Sequence, residues 1–270
     1  MAGARRRVGV ALLVVLVAFA GIALGVRSLW HAAQTVVRAD GCDFGSYSLD
    51  TEQAAIASEV TGVVLRRRLP ARAAVLTIGA ALQESKLRNL PVGEGDRDSV
   101  GILQQRPSQG WGTAEQISDV RYATGKFLDA VVKVADWQHD SLAAVVQTVQ
   151  ISADGAAYAR HEAEATAITD ALMGTAPAGV SCHFGEPSKV ATANQLIEAV
   201  QLDLPVSAPK ASAKTVTVPG AGWATAAWFV CNADRLGIDS VAYSGKRWSR
   251  TKGWKAHGAA PTTEVSATLA

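Results

Sequence analysis

The chain has 270 residues, 49% of them hydrophobic and 19% charged, with a formal net charge of +2. That balance excludes a disordered polyelectrolyte and argues against a nucleic-acid binder. The length leaves room for one medium domain and a smaller module.

The first element is an uncharged run from Val8 to Val26, VGVALLVVLVAFAGIALGV. Crossing a hydrocarbon core of about 30 Å takes roughly 20 apolar residues. Arg5, Arg6 and Arg7 precede the run, so residues 1–7 are read as a cytoplasmic basic tail and 8–26 as a single-pass anchor in the lipid bilayer. The alternative is a cleaved signal peptide, although no A-x-A-like site directly follows the run. On either reading the bulk of the chain is expected outside the cytoplasm, at the cell membrane or secreted.

Residues 27–47 form a juxtamembrane segment ending in the polar stretch Ala39 to Tyr47. It carries Cys42, the first of three cysteines; the others are Cys182 and Cys231. No C-x-x-C pair occurs, so neither a zinc site nor thioredoxin-type chemistry is called for. In an oxidising compartment, a Cys42–Cys182 disulfide would bracket the central region and contribute roughly 4 to 5 kcal/mol. Cys231 is then a small buried residue, and a Cys42–Cys231 link is the competing pairing.

The central domain is expected over 48–182. Ser48 to Asp50 offer caps to a helix, TEQAAIASEVTGVVLRRR, whose basic end suits the dipole. Pro70 opens a second helix over Ala71 to Lys86. Ala73 to Leu82 carries no charge on any face and should be buried all round. Ala73, Thr77, Ala80, Ala81 and Glu84 share one stripe, so a carboxyl emerges at the end of a dry helix. A loop over 88–112 follows, then helices near 117–136, 140–150 and 156–173. Residues 183–219 are read as a helix (Pro187 to Gln201) and a linker with the composition LPVSAPKASAKTVTVP. Residues 220–257 should form a small α+β module: a helix stopped by Gly237, then a hairpin turning at Ser244–Gly245. Residues 258–270 are expected to be disordered.

The chemistry concentrates in ALQESKLRNLPVGEGDRDSVGILQQRPSQGWGT. Glu84–Ser85, then Gly95–Asp96–Arg97, then Gly101–Ile102–Leu103–Gln104 resemble, in that order, goose-type lysozymes and soluble lytic transglycosylases, and more closely actinobacterial exported lysozyme-like proteins. Tyr122 to Leu128 resembles their next helix, and the likeness spans roughly residues 50–175. The resemblance implies a mainly α, lysozyme-like helical domain cleaving MurNAc–GlcNAc bonds of peptidoglycan strands, with no metal or other cofactor. It implies Glu84 as catalytic acid and Asp96 as a helper that places water.

Independent of the likeness, protonating a glycosidic oxygen near neutral pH needs a carboxyl whose proton is held, and burial does that. The competing reading pairs Glu84 with Lys86 or Arg88 across the next turn. For Asp96 the competing reading is a loop Asx-turn. Ser85, Asp98, Gln104, Gln105, Trp111 and Tyr122 are the candidate glycan contacts, amide and aromatic groups suiting N-acetyl sugars. Trp111 is equally read as a cap on the core.

The chain departs from the family pattern at two places. Gln105–Arg106 stands where goose-type lysozymes carry a second Asp, and Val149–Gln150 where lytic transglycosylases carry Tyr-Asn. An arginine is no base, so the pattern leans toward a transglycosylase, in which one carboxyl acts as acid and then base. A non-catalytic glycan-binding or scaffold protein is the other reading. In the last module, Trp223, Trp228, Trp248 and Trp254 lie among Lys246, Arg247, Arg250, Lys252 and Lys255. They point either to a surface for anionic wall polymers or to a tiny core with a solvated basic rim.

Overall fold

The computed structural model describes residues 39–151, 155–258 and 262–270. The expected tail and anchor, 1–26, and the start of the juxtamembrane segment lie outside the described residues. Among the described residues, no helix is long and apolar enough to cross a membrane.

The mainly α expectation is corrected. Of the described residues, 45% are helix and 18% strand, in two antiparallel sheets of three and six strands. The first sheet joins the end of the polar stretch to the last residues of the central region: β1 (Gly41–Phe44), β2 (Tyr47–Leu49) and β3 (Val180–His183), in the order β2-β1-β3. Cys42 lies directly opposite Cys182 in the β1–β3 register, and the two form the disulfide. The bond therefore closes a loop of 140 residues at the base of the helical region.

Helix α1 (Thr51–Arg66) starts from an Asp50–Gln53 capping box. Its basic end ties down neighbours: Arg66 Nε donates to the Leu202 carbonyl (2.9 Å), and Arg67 to the Gly125 carbonyl (2.7 Å) and Asp129. Helix α2 (Ala71–Ser85) is buried at every position from Ala73 to Leu82, as its uncharged surface requires. Gly79 is needed there, since a Cβ would come within 2.1 Å of the buried Leu142 Cδ1. A short helix α3 (Ala114–Ser118), capped by Thr113, precedes α4 (Val120–Val131), capped by Asp119. The single helix expected near 117–136 is thus two, because Asp119 takes extended backbone and caps instead of continuing. Helices α5 (Leu142–Gln150) and α6 (Glu162–Leu172) complete the layer around α2, joined to it by a 3-10 turn over Gly155–His161.

The expected helix over 187–201 starts later, as α7 (Ala193–Asp203), where the Thr192–Gln195 capping box satisfies the first backbone N–H groups, while the Ala191 N–H donates instead to the Leu236 carbonyl. The segment read as a linker holds two strands, β4 (Lys210–Ser212) and β5 (Thr215–Pro219). The tail read as disordered holds β9 (Glu264–Leu269), an interior strand between β5 and β6 (Ile238–Tyr243). With β7 (Lys246–Ser249) and β8 (Gly253–Ala256), which include the expected hairpin, the order is β4-β5-β9-β6-β7-β8. Val216, Val218, Val241, Val265 and Ala267 are fully buried on this sheet, the period-two pattern of a half-covered surface.

Helix α8 (Trp223–Cys231), followed by the single turn α9 (Ala233–Leu236), binds the two parts together. It packs on β6, β9 and β3 on one side and on α1 and α6 on the other, and Thr225–Cys231 is buried throughout. The tryptophans are used internally. Trp228 Nε1 donates to Asp203, Trp248 Nε1 to the Cys182 carbonyl and Trp254 Nε1 to the Val180 carbonyl, while Trp223 packs edge-on against Tyr243 and Trp254. The tiny-core reading describes these aromatics, and Arg250 belongs with them, buried and bonded to the Gly185, Ala233 and Ile238 carbonyls. Lys246, Lys252 and Lys255 are exposed.

Candidate functional site

Helix α2 ends with Lys86 and Leu87 in left-handed backbone, which turns the chain sharply after Glu84 and Ser85. Ser85 is buried, and its Oγ donates to the Ile102 carbonyl at 2.7 Å while accepting from the Arg88 N–H at 3.2 Å. Ser85 is therefore a clamp holding Gly101–Gln104 against the end of α2, with no surface left for a glycan. Gly101 completes the docking: its N–H donates to the Leu90 carbonyl, its φ is +78°, and a Cβ would come within 2.8 Å of the Ile117 carbonyl. A bridge between Val100 and Gln105 closes this small loop.

Glu84 stands at the wall of a cleft of about 560 Å³ between this loop and the end of α5. Asp96, Gln104, Arg106, Trp111 and Gln150 line the same cleft. Burial pushes the Glu84 carboxyl above its ordinary pKa, and a hydrogen bond from the Tyr158 hydroxyl pulls it partly back. The expected competitors for Glu84 do not pair with it: Arg88 bonds to Asp50 and Glu52, and Lys86 is exposed. An acid with a held proton facing a polar groove is competent to protonate a leaving-group oxygen.

The remaining candidates divide. Gln104 lines the cleft with its side-chain N–H on the Gly101 carbonyl (3.1 Å). Asp96 lies on the wall, but its side chain is 90% exposed and its ion pair with Arg97 is long, at 3.8 Å. Asp98 is turned to the protein, accepting from Arg106 Nε (2.8 Å) and the Ser108 N–H (2.8 Å), which hold its carboxyl well below the usual range. Gln105 is buried beneath the loop with its amide on the Ala123 carbonyl. Tyr122 packs under Gly112, where a Cβ would meet its hydroxyl at 2.6 Å, and Lys126 lies over its ring. Of the nominated contacts, Gln104 and Trp111 thus face the cleft with Glu84 and Asp96, whereas Ser85, Asp98, Gln105 and Tyr122 build its frame.

Two residues at or behind the cleft escaped the sequence reading as candidates. Tyr158 sits alone in an alanine-rich turn, and only folding brings it, fully buried, to Glu84. Gln150, noted only as a departure from a family pattern, lines the cleft and donates to the Leu103 carbonyl at 3.0 Å.

A second group of titratable residues lies away from the cleft. Asp203, with a side chain 1% exposed, accepts two hydrogen bonds from Arg121 and one from Trp228. Glu59 on α1 also pairs with Arg121, at 2.8 Å. Arg121 must serve two acids, so burial outweighs its help and pushes Glu59 up to about 7.

No family model matches the chain, and no curated protein aligns with it.

Proposed function

We propose that the protein cleaves the MurNAc–GlcNAc bonds of peptidoglycan strands, with Glu84 as acid and then base. The observation that carries this reading is the Glu84 carboxyl, driven toward its protonated form by burial, at the wall of a polar cleft of about 560 Å³. Cleavage of a glycosidic bond needs a proton on the leaving oxygen as positive charge develops at the anomeric carbon. Glu84 gives that proton and, as a carboxylate, takes one back from the attacking hydroxyl.

Attack by the sugar's own 6-hydroxyl, leaving an anhydro end, fits this cleft better than attack by water. Inverting hydrolysis needs a second fixed carboxylate; Asp96 is solvated, and Arg106 occupies the position where a further acid is expected. The run at 8–26 would place the enzyme on the outer membrane surface, against its substrate. A non-catalytic glycan-binding role is the second reading, favoured by Arg106 and by Val149–Gln150.

Incubating the full chain with peptidoglycan separates these readings. Anhydro-muropeptides that vanish with Glu84→Gln establish the transglycosylase, and new reducing ends indicate hydrolysis. Tight binding without products supports the second reading.

A further inference from the structure

We propose that Arg106 is a carboxylate-recognition point in the Glu84 cleft, selecting glycans that carry an acidic substituent such as the lactyl ether of muramic acid. The inference rests on the glycan-cleaving reading and deepens it.

Arg106 lines the same cleft as Glu84, Gln104 and Trp111, with a side chain only 23% exposed. One edge of its guanidinium is committed: Nε donates to Asp98 Oδ1 at 2.8 Å. Asp98 is itself held through its other oxygen by the Ser108 N–H. The two terminal amino groups make no hydrogen bond to any described residue, and neither is sealed from solvent. Arg106 precedes Pro107, which restricts its backbone to the extended conformation observed, with φ −118° and ψ 124°. A planar fork on a stiff backbone, anchored at Nε and open at its terminal nitrogens, is the geometry that binds a carboxylate through two parallel hydrogen bonds.

Glu94 and Asp96 also line the cleft and oppose an anion there. Both are exposed, so water and salt screen them, whereas Arg106 is largely withdrawn from solvent. Asp98 offsets part of the Arg106 charge, so the free terminal N–H groups, rather than net charge, carry the recognition of a group docked against them. A cation whose only task was to hold the loop would have no reason to face the cleft with four of its five N–H donors free.

The test compares two probes of equal length: denuded glycan strands, whose lactyl groups end in free carboxylates, and chitooligosaccharides, which lack them. Binding is measured by calorimetry on the full chain carrying Glu84→Gln, so that nothing turns over. The expected result is a preference of about tenfold, equivalent to about 1.4 kcal/mol, for the denuded strands. Added salt should erode it. Arg106→Gln, in the same background, should bring the two probes within about twofold, and Arg106→Lys should keep part of the difference. Equal affinity for both probes, or a preference that survives Arg106→Gln in a variant with an unchanged circular dichroism spectrum, overturns the inference. Cleavage by the parent chain is scored separately. Products without discrimination sink the role of Arg106 alone, whereas neither binding nor cleavage of either glycan sinks the glycan reading and this inference with it.

Discussion

The hydroxyl of Tyr158 donates to the carboxyl of Glu84, joining a 3-10 turn that precedes α6 to the last turn of α2. Two opposing influences meet on this carboxyl. Burial disfavours its charge, the hydrogen bond favours it, and burial is the larger.

Removing the Tyr158 hydroxyl therefore moves the balance one way. Tyr158→Phe takes away a donor that stabilises the ionised form, so the Glu84 pKa rises further. A bond to a charged group worth about 1.5 kcal/mol corresponds to roughly one pH unit. The alkaline limb of the rate profile should move up by about that much, with kcat reduced less than in Glu84→Gln. A pH–rate series on both variants checks this, and an unmoved limb refutes the coupling.

Ser85→Ala should loosen the site without touching its chemistry. The variant orphans the buried Ile102 carbonyl that Ser85 Oγ holds, at a cost of about 1 to 3 kcal/mol. Amide hydrogen exchange should quicken in the loop over Gly101 to Gln105 while the helices keep their protection. If KM rises more than kcat falls, the clamp acts on cleft shape.

Glu59 makes stability fall as pH rises. Its pKa of about 7 in the folded protein exceeds the unfolded value near 4.5, so between these the folded state binds the extra proton. The Glu59 contribution is fully present below about pH 4.5 and is lost by about pH 7, a change of about 3 kcal/mol at most. Urea titrations at pH 5 and pH 8 measure it. Glu59→Gln should flatten the difference, since Asp203 still engages Arg121. An unchanged slope would show that Arg121 keeps Glu59 ionised throughout.

The Cys42–Cys182 bond closes a loop of 140 residues, for which the chain-entropy relation gives about 5 kcal/mol. Replacing both cysteines with serine should lower stability by up to that amount, seen in thermal and urea midpoints. Cys231 is buried, its thiol pKa is pushed far up, and its sulfur lies within 4.8 Å of the other two. Iodoacetamide should leave Cys231 unlabelled until the chain unfolds.

The sequence alone determined the features that depend on near neighbours. The uncharged face of Ala73 to Leu82 required a buried helix with Glu84 at its end, because no polar group there gains by meeting water. The cap at Asp50 set where α1 begins, since it satisfies backbone groups within three residues. The sequence favoured the Cys42–Cys182 pair but left Cys42–Cys231 open, and the β1–β3 register decided it. Tertiary structure decided what depends on distant partners. Strand β9 has an alternating pattern, but a tail of six residues gains nothing from it until β5 and β6 supply hydrogen-bonding edges. The segments at 41–44 and 180–183 become a sheet only by pairing across 140 residues. Tyr158 reaches Glu84 from 74 positions away, and Arg106 acquires a fixed, half-open guanidinium only when Asp98 folds back onto it. Local patterns encode burial and capping, whereas a site built from separate segments exists only once packing brings them together.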